Sequence, residues 1–281
     1  MSTKTTPSAW PASTLALVIL GLLSPLMAAQ AAGLTDTGQT LCYNGSAMVT
    51  CDAITTGDSA DYPAQDGRFG RDAAAVAGQL SKTGGGEAGF DYTKVCNSGE
   101  LAGSGSCPAN PALGSGKDDW GCTKDNVTDL IWEVKINDAT HLRHKEWSYT
   151  WYRSNSTTNG GDAGTADGTD NCLDTARCDT EKYVTDVNTA GLCGNSDWRM
   201  PYIIELQTLT HYGKTHSSVP FDKAYFPNTN AQSTVSYWSA TSLAILDPSH
   251  WAWAWKGSSE SLGRSGKSTA YAVRLVRGGH P

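Results

Sequence analysis

The sequence predicts an α+β fold: a twisted antiparallel sheet with two helices, rich in loops and stapled by disulfides. Three observations predict it. Residues 237–241, 250–256 and 270–277 alternate apolar with polar or small side chains, the period of β-strands. Around residues 193–209, one helical pattern stops at a glycine and a second opens after Pro201. Eight cysteines lie beyond residue 40, an even count that favours disulfides in an oxidising compartment.

The first 31 residues read as a secretory signal peptide. Lys4 supplies the positive start, residues 15–23 (LALVILGLL) an apolar run, and Ala29-Gln30-Ala31 a small-x-small cleavage site. The run is too short to span a bilayer. The expected mature chain starts near Ala32, has no membrane span, and is destined for secretion or the bacterial cell surface, with the periplasm as the other destination. No cysteine follows the cleavage site, which argues against a lipid anchor.

The formal net charge of −7 is unevenly spread. From His250 to the end there are one acidic and five basic residues. Nucleic acid is therefore not an expected partner of the whole chain, whereas the C-terminal hairpin has the charge to meet an anion. The cysteines lack the tight C-x-x-C pairs of a zinc site. Composition leaves their connectivity open. Proximity favours Cys42 with Cys51, Cys96 with Cys107 and Cys172 with Cys178, leaving Cys122 with Cys193.

Residues 32–120 read as a loop-rich N-terminal elaboration. Residues 36–45 suggest a short strand entering a turn that Cys51 closes, and Ala73, Val76, Ala77 and Leu80 suggest a helix over 71–80. Three glycines at 84–86 stop it, and 90–119 reads as surface loop. A tighter domain follows over 121–281. Residues 127–135 predict a strand with Leu130, Trp132 and Val134 on one face, and Trp147, Tyr149 and Trp151 recur at period two. Asp179 caps a helix through Thr189, with Tyr183, Val184 and Val187 inward and Gly191 as its stop. Trp198, between Asp197 and Arg199, is expected in the core with its charged neighbours bonding around it. The last two strands are expected to join through a Gly/Ser-rich tip at 257–267.

In that order the motifs DNVTDLIWEVK (125–135), AGLCGNSDWRMP (190–201), YWSAT (237–241) and AVRLVRGG (272–279) resemble the bacterial family typified by the C-terminal domain of the Legionella collagen-like adhesin. The resemblance covers nearly the whole mature chain. It implies a C-type-lectin-like, formylglycine-generating-enzyme-like fold class and a secreted adhesin that binds sulfated glycosaminoglycans. The Gly-X-Y repeat that trimerises the collagen-like member is not in this sequence.

Two sets of residues suggest binding chemistry. Trp251, Trp253 and Trp255 alternate with alanines, so a strand would align three indoles that can stack on sugar rings, with Lys256, Arg264, Lys267, Arg274 and Arg277 near to meet sulfate or carboxylate. The competing structural reading, in which the row is the core face of a central strand, is preferred for the tryptophans. Asp162, Asp167, Asp170 and Asn171 in a Gly-rich loop offer hard oxygen ligands, for which calcium is the candidate ion. No cofactor is otherwise expected.

Catalytic signatures are weak. GRSGKS at 263–268 has Ser261 where a phosphate loop needs its first glycine, and neither a G-x-S-x-G elbow nor an H-E-x-x-H pair occurs. The related formylglycine-generating enzymes use a reactive cysteine pair, and here every cysteine has a structural partner in view. The expectation is a non-catalytic recognition protein binding a glycan or another surface ligand. The alternative is a self-associating structural subunit of an extracellular fibre or surface assembly, followed by an enzyme on the same fold.

Overall fold

A computed structural model of the chain describes residues 36–54, 64–169, 171–214, 220–229, 235–243, 250–256 and 261–279. These lie within the unit Ala32–Pro281. Residues 1–31, expected to be a signal peptide, lie outside them.

The architecture is α+β. Strands β1 (Cys42–Tyr43) and β2 (Met48–Val49) form a small hairpin. Four antiparallel strands, β3 (Tyr92–Cys96), β4 (Trp120–Asp125), β5 (Ile131–Glu133) and β9 (Val276–Arg277), pair in that order. A second sheet orders β6 (Ser236–Leu243), β7 (Trp251–Lys256) and β8 (Ser261–Gly266). The helices are α1 (Arg71–Val76), α2 (Thr180–Ala190) and α3 (Ile203–Gln207).

The chain's last stretch ties the two sheets. Ala272 pairs with Tyr237 on β6, and four residues on, Val276 pairs with Trp132 on β5 and with Arg199. One apolar cluster gathers Trp151, Tyr183, Trp198, Trp238, Ala252 and Ala254; the other gathers Tyr92, Trp132, Leu206, Phe221, Tyr237 and Trp255. The disulfides join Cys42 to Cys51, Cys96 to Cys107, Cys122 to Cys193 and Cys172 to Cys178.

Local chemistry sets the α2 boundaries. Asp179 accepts from the Lys182 amide at 2.9 Å, and Gly191 takes the left-handed conformation (φ +65°) that ends the helix. Trp198 is buried, its indole N–H donating to Leu192 O at 2.9 Å, while Asp197 bonds Arg277 and Arg199 bonds Glu205, each at 2.7 Å.

Several expectations are corrected. Residues 90–119 are not all loop, because β3 pairs along β4. The strand expected over 127–135 shortens to Ile131–Glu133, since the Asp125 carboxylate accepts from the Val127 amide and Thr128 hydroxyl and turns the chain there. Likewise the helix expected over 71–80 ends at Val76, which is exposed, and the side chain it buries is Asp72. The tip expected at 257–267 contains β8, whose Gly/Ser-rich sequence has little strand propensity but completes the backbone ladder of β7. Residues 257–260 lie outside the described ones. The 270–277 stretch forms a ladder only at Val276–Arg277 and bridges elsewhere.

Candidate functional site

Antiparallel pairing sorts the β7–β8 hairpin into two faces. Trp251, Trp253 and Trp255 oppose Gly266, Arg264 and Leu262, whereas Ala252, Ala254 and Lys256 oppose Ser265, Gly263 and Ser261. The alanine face is core: Ala252 and Ala254 are buried in the cluster around Trp151 and Trp238. Lys256 therefore lies on the opposite face from the tryptophans, its stem crossing Gly263, where a Cβ would stand 2.4 Å from Lys256 Cε.

Burial along the tryptophan face is graded. Trp255 is 1 % exposed, donates its indole N–H to Thr210 Oγ1 at 2.9 Å and packs 4.8 Å from the Phe221 ring. Trp253 is half-buried, and Trp251 is 37 % exposed. The residue 220–226 stretch, with Phe221 and Phe226, covers one end of the row and leaves the other open. At the open end the exposed Arg264 guanidinium lies 5.6 Å from the centre of the Trp251 ring. The platform of three indoles contracts to Trp251 and the edge of Trp253, with Arg264 beside them.

Two of the expected ligand cations are interior. Lys267 is 2 % exposed; its ammonium donates to Asn159 O at 2.9 Å and Asp162 O at 2.6 Å and sits 4.3 Å above the Trp151 ring. Burial holds it below the usual lysine value. Arg274, fully buried, donates to Glu133 O at 2.7 Å and Thr229 Oγ1 at 2.9 Å among the rings of Phe226 and Tyr237. Both cations bind the protein's own oxygens, and the one donor left over, Arg274 Nε, is buried out of a ligand's reach. Arg277 is taken by Asp197.

The aspartates proposed for calcium do not converge. Asp162 bonds the Gly164 amide at 2.6 Å and His250 at 2.5 Å, and Asp167 bonds Lys182. Each carboxylate already has a basic side chain beside it, since Lys267 Nζ also lies 3.9 Å from Asp162 Oδ1. Asp170 lies outside the described residues. Among the described residues, no group of three His, Cys, Asp or Glu side chains is gathered as metal ligands would be.

Sequence reasoning passed over one interior cluster. Glu133 at the end of β5 and Lys135 two residues on fall on what alternation makes the outer face, yet both are buried, because α2 lays Tyr183 across them. Lys135 Nζ bonds Glu133 Oε1 and the Tyr183 hydroxyl, each at 2.7 Å; the same hydroxyl bonds Glu133, whose other oxygen accepts from the Leu275 amide at 2.9 Å. Burial pushes Lys135 down to about 8. The same burial pushes Glu133 up, but Lys135, Tyr183 and the Leu275 amide outweigh it and hold the carboxyl below its ordinary value. The signal in the sequence is the E-x-K pair inside an apolar strand.

The described residues form a disulfide-stapled α+β domain with an exposed aromatic and cationic strand end at Trp251 and Arg264. The family is now specific: a model described as the Lcl C-terminal domain matches residues 121–277, and the chain belongs to that family. Neither the curated proteins nor the solved structures contain a match to it. Among the described residues, no helix is long and apolar enough to cross a membrane.

Proposed function

We infer that the chain is a secreted or surface-held adhesion protein that binds a glycan or another cell-surface ligand without catalysis, on a C-type-lectin-like domain. The observation that carries this reading is the pairing of exposed Trp251 with exposed Arg264 at the open end of β7 and β8. An indole face suits the C–H face of a pyranose ring, and a guanidinium offers a planar fork to carboxylate or sulfate. Membership of the Lcl C-terminal domain family supports the adhesin class.

A glycan array that includes sulfated glycosaminoglycans, read at low and physiological salt, tests it. Trp251→Ala and Arg264→Ala are each expected to cut binding at least tenfold with the fold intact, and salt to weaken what Arg264 contributes. Binding that survives both substitutions sinks the assignment of the site. A silent array sinks the glycan.

A second reading rests on a separate observation. Tyr43, Met48, Phe69 and Val76 are all exposed in the section before β3, which supports a subunit of an extracellular assembly whose copies pack through it. Light scattering that finds the same monomer at every concentration excludes that reading.

A further inference from the structure

An unusual carboxyl pair lies far from β7 in sequence, where the described chain begins. Asp36 is 8 % exposed and Asp72 1 % exposed, and both carboxyls converge on the same two residues, Thr37 and Gly89. Asp36 Oδ1 accepts from the Thr37 and Gly38 amides at 2.8 and 3.3 Å. Its Oδ2 has no hydrogen-bond partner and abuts Gly89, where a Cβ would stand 1.7 Å away. Asp72 accepts from the Gly89 amide at 3.0 Å and the Thr37 hydroxyl at 3.2 Å, and that same hydroxyl also meets Asp66. One hydroxyl proton thus serves two carboxyls, and Asp36 Oδ2 receives none.

Among the described residues no basic side chain bonds either carboxyl, and the Arg71 Nη2 is itself buried without a hydrogen-bond partner. Arg71 on α1 gives its Nε–H to Gly89 O at 3.0 Å. On the far side Lys214 bonds Glu87 at 2.8 Å, and Glu87 lies 3.4 Å from His211. Burial, then Lys214, holds His211 below its ordinary value, so the ring is uncharged at neutral pH. Two carboxylates that converge on the same residues in a site that excludes water do not both stay ionised without a positive partner bonded to them. The segment they hold is a junction: Thr37 O accepts from the Tyr212 amide at 2.8 Å, and Gly38 lies against the His211 ring.

We propose that Asp36 and Asp72 form a clasp closed by one shared proton, which fixes residues 36–38 on α1, on the loop at Gly89 and on His211, and which mild alkali opens. Burial first and Asp72 second push the Asp36 carboxyl up to about 8, from an ordinary value of 3.8. The docked segment thus holds a proton that the released segment gives up. Docking is strongest below about pH 4, weakens roughly tenfold for each pH unit up to about 8, and levels off above that.

Amide exchange of the mature chain, read by mass spectrometry on peptides covering residues 36–41 and corrected for intrinsic rates, tests the clasp. Between about pH 5 and 8 the protection of these peptides is expected to fall roughly tenfold per unit, while peptides of β6 and β7 hold steady and report that the fold is intact. Asp36→Asn keeps the side chain's shape and offers Asp72 an N–H in place of the proton, so its protection should stay flat with pH; Asp72→Asn should flatten it too. A flat profile in the unsubstituted chain, or the full slope retained in Asp36→Asn, overturns the proposal. Protection restored at about pH 8.5 by millimolar calcium overturns it in favour of a metal bridge.

Discussion

Two buried charges of opposite sign, Glu133 and Lys135, share the Tyr183 hydroxyl inside the domain, so neither can be removed without stranding the other. Glu133→Gln should cost about 3–5 kcal/mol at neutral pH, the cost of leaving an unpaired buried charge. Because the folded carboxyl titrates below its ordinary value, its contribution is present above the unfolded carboxylate range and is lost as pH falls through the folded value. Urea unfolding at about pH 7 and pH 3 should therefore show the gap between the two proteins closing in acid. The graded tryptophan row makes a second contrast: Trp255→Ala should cost about 3–5 kcal/mol, Trp251→Ala under about 1 kcal/mol, by the same measurement. Arg274 sits inside the apolar run Ala272–Val276, every residue of which is buried, so its interior position was available in the sequence; charge drew attention to it as a ligand group instead. Lys267 lies just past the end of β8, and no alternation indicates that the carbonyls of Asn159 and Asp162 wait for it.

The elements that local chemistry specifies were the legible ones. Helix α2 carries both of its boundaries in its own residues, Asp179 and Gly191, and the structure uses each as a cap. Gly191→Ala should cost roughly 1 kcal/mol through backbone conformation alone, since a Cβ there meets no atom within 4 Å; chemical denaturation checks it, and a much larger loss would mean the site is packed. Strand β8 is the opposite case. Its Ser-Leu-Gly-Arg-Ser-Gly sequence has no signal of its own, and its conformation comes from the six residues of β7 opposite. The proposed binding end of the hairpin was half legible for the same reason: the alternation of tryptophans places them on one face, but only the covering Phe221 determines which of the three reach solvent.

Over the whole molecule, long-range closure does what local signals cannot. Nearest-neighbour reasoning leaves Cys122 with Cys193, and these two are joined across 71 residues, fastening β4 to the turn after α2. Loop entropy makes this bridge worth roughly 4 kcal/mol and the six-residue Cys172–Cys178 bridge roughly 2 kcal/mol. Paired Cys→Ser substitutions compared by thermal unfolding should keep that order. Sheet order was the illegible part, since nothing in residues 90–119 shows that β3 belongs beside β4. That placement bears on how this domain can be inherited or engineered. Similarity to the family begins at residue 121, one residue inside β4, whose outer neighbour β3 comes from the section before it. A cut at that border would leave the amides of a buried strand bare, an adhesive edge that recruits other chains. Moved into a new gene, the domain would have to borrow a strand from its host.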